Sequence, residues 1–268
     1  MRTHFFSQET VLKWSCVAAV VVAVLSGAAR ADEFAKLSAP AELRFISFDP
    51  PTAYPQLAYY TRMSVIGGVW PYRFELVKGP AGAKITADRG EVHWVPKGEG
   101  AGAEFEVQVS DLAGKSVSKK WTVAVTAKGF YFVAMTGDDT GGDGSEAKPW
   151  KTIQRAINGS KGVGTVYARA GAYKERSRPL TPDGKAPSGG YHEFILIIGL
   201  GGYGLDHQKP TAAAPFVLGA YPGEKVSIEP SGKDRGLGIY VSSPYVLIRD
   251  LEVRGGERNN IVITGETG

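Results

Sequence analysis

Cysteine is nearly missing from this chain: Cys16 is the only one in 268 residues. No disulfide framework is available, so an exported form has to rest on an ample hydrophobic core. An excess of charge of either sign is missing too. The 31 Lys and Arg oppose 27 Asp and Glu, a formal net charge of only +4, and nothing indicates a polyanion binder of the nucleic-acid kind. Histidine occurs four times, and His93, His192 and His207 have no partner at metal-ligand spacing. No serine stands in a nucleophile elbow. The glycine-rich stretch Gly199 to Gly204 lacks the lysine-serine ending of a phosphate cradle. Long apolar runs are scarce: Trp14 to Gly27 spans about fourteen residues, short of the roughly twenty that cross a membrane.

What is present begins with that apolar run. Arg2 and Lys13 precede it, and Ala29-Arg30-Ala31 supplies small residues in the pattern of a signal-peptidase site. Residues 1–31 therefore read as a secretory signal peptide. Cleavage after Ala31 removes Arg2, Lys13, Arg30 and Glu9, lowering the formal charge from +4 to +2, and leaves a cysteine-free chain. Secretion, a periplasmic location or the surface of a bacterial cell is the expected destination. Residues 32–40 read as a linker.

From Ala41 to Ala127 short alternating stretches are separated by Gly/Pro turns. Tyr72, Phe74 and Leu76 alternate with polar residues, as do Phe105, Val107 and Val109, and Trp121, Val123 and Val125. That period of two predicts strands with one wet face, arranged as an antiparallel sandwich. The stretches Gly79 to Ile85, Gly90 to Pro96 and Val109 to Gly114 resemble the repeat of Ig-like, cadherin-like domains of bacterial surface proteins. Such modules commonly act as spacers or docking units. Trp94 and Trp121 have two readings, sugar-stacking platform or sandwich core, and their alternating faces favour the core.

Lys128-Gly129 marks the expected boundary. Beyond it come Phe130 to Ala134, an Asp/Gly-rich loop, Lys148-Pro149-Trp150 leading to Ile157, and Gly164 to Tyr173. The pattern predicts a strand, a polar turn, a short amphipathic helix with Pro149 in its first turn, and a second strand. In order and spacing this resembles the N-terminal cap and first coil of right-handed parallel β-helix proteins, the pectate-lyase-like superfamily. Phe194 to Ile198, Phe216 to Ile228, Tyr245 to Val253 and Asn260 to Ile263 supply later strands. The expected fold class is thus all-β: an Ig-like sandwich over 41–127, then the cap and first coils of a β-helix over 128–268, roughly four coils at twenty to twenty-five residues each. The chain stops directly after a strand without a polar cap, so an N-terminal part of a longer protein, or an open end covered by another chain, is expected.

The resemblance implies a polysaccharide-associated protein, as a lyase cleaving an acidic glycan by elimination, with catalytic coils missing from this chain. The alternative is a non-catalytic surface adhesin or scaffold that binds extracellular glycan. A glycoside hydrolase would need two carboxylates across the scissile bond, and Asp250 and Glu252 are too close in sequence to serve. Asp138, Asp139 and Asp143 are candidate calcium ligands in a Gly-rich loop; the same residues also read as an ordinary turn bonded to its own backbone, and that reading is favoured. Arg249, Glu252 and Arg254 are candidate substrate-binding residues if Val246, Ile248, Leu251 and Val253 point inward. Extracellular polysaccharide is the expected partner, with no nucleic acid, no membrane beyond the signal peptide and no sign of an oligomer. No catalytic residue is assignable, and whether this chain is an enzyme stays open.

Overall fold

The computed structural model describes residues 41–175, 194–198, 208–230, 237–255 and 259–264. The signal peptide and linker expected over 1–40, the excursion from Arg176 to Gly190, His192, His207 and the loop Gly199 to Gly204 lie outside the described residues. Within them the protein is all-β apart from one seven-residue helix. No described helix is long and apolar enough to cross a membrane.

In chain order the first strands are β1 (Arg44–Phe45), β2 (Thr52–Ala53), β3 (Tyr59–Arg62), β4 (Val65–Ile66), β5 (Arg73–Lys78), β6 (Lys84–Ile85), β7 (Glu91–Trp94), β8 (Gly100–Ser110) and β9 (Ser116–Val125). They form a sheet of order β2-β9-β8-β5, another of order β3-β7-β6, and the pair β1-β4. All of these pairings are antiparallel except β2 with β9. The alternation on β5, β8 and β9 sends Phe74, Phe105, Val107, Val109 and Val123 into one core with Tyr59, Val92 and Trp94. Trp94 is 8% exposed, and Trp121 lies flat against Phe105 with ring centroids 5.0 Å apart. The indole N–H of Trp121 donates to the Tyr59 hydroxyl at 3.2 Å. Trp94 belongs to the buried core, and Trp121, partly buried, packs against it.

The chain then changes character. β10 (Phe130–Val133) is followed by α1 (Ile153–Gly159), β11 (Gly164–Ala168), β12 (Gly171–Glu175), β13 (Phe194–Ile198), β14 (Phe216–Ala220), β15 (Val226–Pro230), β16 (Leu237–Val241), β17 (Val246–Arg249), β18 (Glu252–Val253) and β19 (Ile261–Ile263). Three sheets result, of order β10-β11-β14-β17, β12-β15-β18 and β13-β16-β19. Every pairing in them is parallel. From β11 onward each third strand returns to the same sheet, so equivalent residues stack on one another. Val166, Leu218 and Ile248 occupy one inward row, and Tyr173, Ile228 and Val253 another. On the third sheet Leu196, Ile239 and Ile261 align, as do Ile198, Val241 and Ile263. The first two members of each row are buried, whereas Ile261 is 44% and Ile263 77% exposed.

Three local details depart from the sequence pattern. The helix begins at Ile153, behind the N-cap Thr152, so Pro149 precedes it instead of sitting in its first turn. Trp150 exchanges two backbone hydrogen bonds with the neighbourhood of β10, donating to Phe132 and accepting from Ala134, and is therefore extended. The run Gly164 to Tyr173 is two strands in different sheets, with the chain turning at Arg169-Ala170. Tyr245 to Val253 is likewise divided, at Asp250, whose φ of 58° lies in the left-handed region.

Candidate functional site

On β10, β11, β14 and β17 the residues between the inward rows point away from the main core. Register places Phe132, Tyr167, Gly219 and Arg249 side by side across the four strands. Phe130, Phe132 and Tyr167 bury their rings in a small aromatic cluster, with Tyr54, Leu57 and Tyr221 packed on it. Tyr54 comes from the segment after β2 and meets Phe130 and Phe132 edge-on at 5.4 and 5.2 Å. The cluster thus joins the N-terminal sheets to the first parallel sheet.

Around its edge runs a ring of polar contacts. Glu146, exposed on the Asp/Gly-rich loop, accepts from the Tyr54 hydroxyl at 3.3 Å and from the Tyr221 hydroxyl at 3.0 Å. Tyr221 follows β14, and the Arg169 guanidinium lies 4.3 Å above its ring. Arg169 is held in turn by Glu224 at 2.7 Å, and the second Glu224 oxygen accepts from the Ala170 N–H. Tyr54, Glu146, Arg169, Tyr221 and Glu224 form one connected rim.

Its electrostatics favour hydrogen bonding over proton abstraction. Burial raises the Tyr221 phenol above its usual range, and the bond to Glu146 raises it further, against the pull of Arg169. Tyr54 is raised for the same reasons, burial first and Glu146 next. Both stay protonated at neutral pH. The hydrogen bond to Arg169 holds Glu224 below the usual carboxylate range, and the same bond raises Arg169. The guanidinium is matched by its own carboxylate. The rim offers donors and acceptors in fixed positions and no activated base.

Behind the rim a cleft lined by Tyr54, Tyr59, Tyr60, Phe130, Tyr167 and Arg249 has room for about one water molecule, at 10 Å³. It is a seam between sheets, too small for a sugar. The sequence pattern placed Arg249 in solvent, and here the expectation is corrected. Its side chain is 12% exposed. It crosses the gap over Gly219 to donate to the Tyr167 hydroxyl at 3.1 Å, and its guanidinium lies 5.6 Å from the Tyr60 ring. Among the described residues its buried Nε has no hydrogen-bond partner. Glu252 and Arg254 do lie at the surface, 62% and 55% exposed, but on and beside the second parallel sheet. Arg254 is bound there to Glu229 at 2.8 Å. The structure separates Arg249 from the other two.

The three aspartates are each tied to nearby backbone. Asp138 accepts from the Thr140 N–H at 2.8 Å and Asp143 from the Ser145 N–H at 2.9 Å. Asp139 accepts from the Lys151 and Thr152 N–H groups and from the Thr152 hydroxyl, setting up the start of α1. Among the described residues no three His, Cys, Asp or Glu side chains are grouped to hold a metal ion. His93 is exposed and lies beside Tyr60, with ring centroids 4.9 Å apart. The rim was missed in the sequence because its members come from four separate stretches; only Tyr221-Pro222-Gly223-Glu224 carried a local signal, that of a turn.

No protein-family model matches the chain, and no curated protein matches it. Among solved structures it is similar to a Bacteroides fragilis protein assigned as an alpha-galactosidase, with 11% identity over 76% of this chain and a TM-score of 0.31. A second, assigned as an alpha-galactosidase/melibiase from the same organism, gives 10% identity over 73% of this chain and a TM-score of 0.31. The chain spans about half the length of each, 52% and 47%.

Proposed function

We propose that this is an exported, polysaccharide-associated protein, an Ig-like sandwich over 41–127 followed by coils of a right-handed parallel β-helix over 128–268, and that it holds extracellular glycan without cutting it. The observation that carries the reading is the rotation of β11 to β19 through three parallel sheets, which stacks outward side chains into ladders along a surface. At the edge of the first parallel sheet, the rim of Tyr54, Glu146 and Tyr221 adds hydroxyl and carboxylate groups suited to sugar hydroxyls. Binding is favoured over elimination by the state of two arginines near the parallel sheets. Arg169 and Arg254 are each paired to a glutamate that raises them, opposite to what a proton-abstracting base requires.

The test is retention of the mature protein on a panel of immobilised acidic and neutral polysaccharides, with product release followed in parallel. Retention without product is expected, and Glu146→Gln should weaken it ~10-fold, worth ~1.4 kcal/mol. Release of unsaturated product would replace this reading with the lyase one, and absence of retention on the whole panel would remove it.

A further inference from the structure

The most exposed aromatic side chain in the described structure is Trp70, at 76%, and Leu112 beside it is 68% exposed. The two belong to neighbouring loops, since the Leu112 N–H donates to the Val69 carbonyl at 2.9 Å. Exposing an indole in water is costly, because a tryptophan has some 150–250 Å² to bury. Here the cost is sustained by a backbone with little freedom. Asp111, 7% exposed, bridges the loops by accepting from Val69 N–H at 2.9 Å and Lys115 N–H at 2.8 Å. The Tyr72 hydroxyl donates to the Gly67 carbonyl at 2.6 Å, and the Gly68 N–H to Ala41 at 2.8 Å. Gly67 has a φ of 76°, and a Cβ there would meet the Glu42 carbonyl oxygen at 2.2 Å, so only glycine fits. An apolar pair on a locked loop is pre-organised for a ligand, which then binds with little ordering cost.

The charge around the pair indicates which ligand. Arg73 follows Trp70 by three residues and points away from the core, since its neighbour Phe74 is buried. Lys115 follows Leu112 by three residues and is exposed. Among the described residues neither is in salt-bridge range of a carboxylate. Arg44 lies on β1, opposite Ile66 at the start of the Trp70 loop. Glu42, Glu75 and Asp88 are exposed acids near this end, and Asp111 is buried under its N–H bonds, so Arg73 and Lys115 are the cations that stand beside the pair without a carboxylate in range among the described residues.

We propose that Trp70 and Leu112 form a stacking platform for a pyranose ring of an anionic glycan, whose carboxylate or sulfate is met by Arg73 and Lys115. The platform rests on the glycan-holding reading and adds a separate contact. It lies at the opposite end of β9 from the seam with the parallel sheets, ~30 Å away at ~3.3 Å per residue.

The test uses the mature protein with a polyuronate, a sulfated polysaccharide and a neutral polysaccharide, following binding by titration and by indole fluorescence. Trp70→Ala should lower affinity for an anionic polymer at least ~10-fold with an unchanged melting temperature, and Trp70→Phe should keep part of it. Arg73→Gln with Lys115→Gln should weaken binding and flatten its salt dependence. The polyuronate and sulfated arms tell which anion is read. Equal, salt-independent binding of the neutral polymer would overturn the anionic assignment. Undiminished binding by Trp70→Ala would overturn the platform while leaving the glycan-holding reading in place, most plainly if Glu146→Gln still weakens it. No binding of any polymer by the unaltered protein would end both.

Discussion

Glu175 shows how one buried group can set a pH dependence. Its side chain on β12 is 5% exposed and faces the first turn of α1, where it accepts from the Ile153 N–H at 2.6 Å and the Gln154 N–H at 3.2 Å. Burial pushes its carboxyl up to about 7, against the two N–H bonds that favour the ion, and Asp139 raises it further. The folded state therefore holds this proton in a range where the unfolded chain, near 4.5, has lost it. Stability from this group is present below about pH 4.5 and is lost as pH rises through about 7. At ~1.4 kcal/mol per pH unit the full effect is ~3 kcal/mol. Glu175→Gln removes the titration, so the difference in unfolding free energy between the natural protein and the variant should drift between pH 4.5 and 7 and be flat above that. Urea unfolding at several pH values measures it, and a difference that is flat throughout would show the proton is not held.

Among the elements, β14 does its work through a missing side chain. Gly219 stands in the ladder between Tyr167 and Arg249, and a Cβ there would lie 3.2 Å from the Arg249 Cγ. The empty position is what lets the arginine fold back across a strand. Gly219→Leu should cost ~1–3 kcal/mol by overpacking, and should cost much less in an Arg249→Ala background, because the clash partner is gone. Chemical denaturation of the four proteins, compared on the transition of the parallel sheets where the Arg249→Ala proteins show two, closes this cycle, and additive costs would refute the coupling. The same ladder shows what was legible in the sequence. The alternation of Phe105, Val107 and Val109, the Ile153/Ile157 stripe and the turn at Gly223 are local patterns, and the corresponding strands, helix and turn lie there. The direction of Arg249 is not local. It depends on which residue stacks beneath it, and register between strands thirty residues apart leaves no mark on either one. The division of Gly164 to Tyr173 between two sheets was hidden similarly, since Arg169-Ala170 carries no Pro and the turn is held by Glu224 from the next layer. The rim of the candidate site shares that fate.

At the scale of the whole molecule, Arg249 is expected to set whether the N-terminal sheets and the parallel sheets unfold together. Among the described residues the contacts that cross between them include Tyr54 and Leu57 against the Phe130, Phe132 and Tyr167 cluster, Tyr54 on Glu146, Phe48 edge-on to Tyr245 at 5.9 Å, and Arg249 beside Tyr60. Small, partly polar interfaces of this kind usually permit independent motion. Arg249 opposes it, because one guanidinium bonds Tyr167 on β11 and faces the Tyr60 ring on β3. A charge-assisted hydrogen bond of ~1.5–3 kcal/mol and a cation–π contact of ~0.5–2 kcal/mol are both at stake. Arg249→Ala is expected to turn a single melting transition into two in scanning calorimetry, with the seam around Lys128-Gly129 becoming more sensitive to limited proteolysis. Arg249→Lys should not restore the single transition, since an ammonium lacks the planar fork that reaches both partners at once. One unchanged transition in both variants would mean that the aromatic cluster around Tyr54 suffices to couple the sheets. In that case the rim tyrosines, in place of the arginine, would be the groups whose loss separates them.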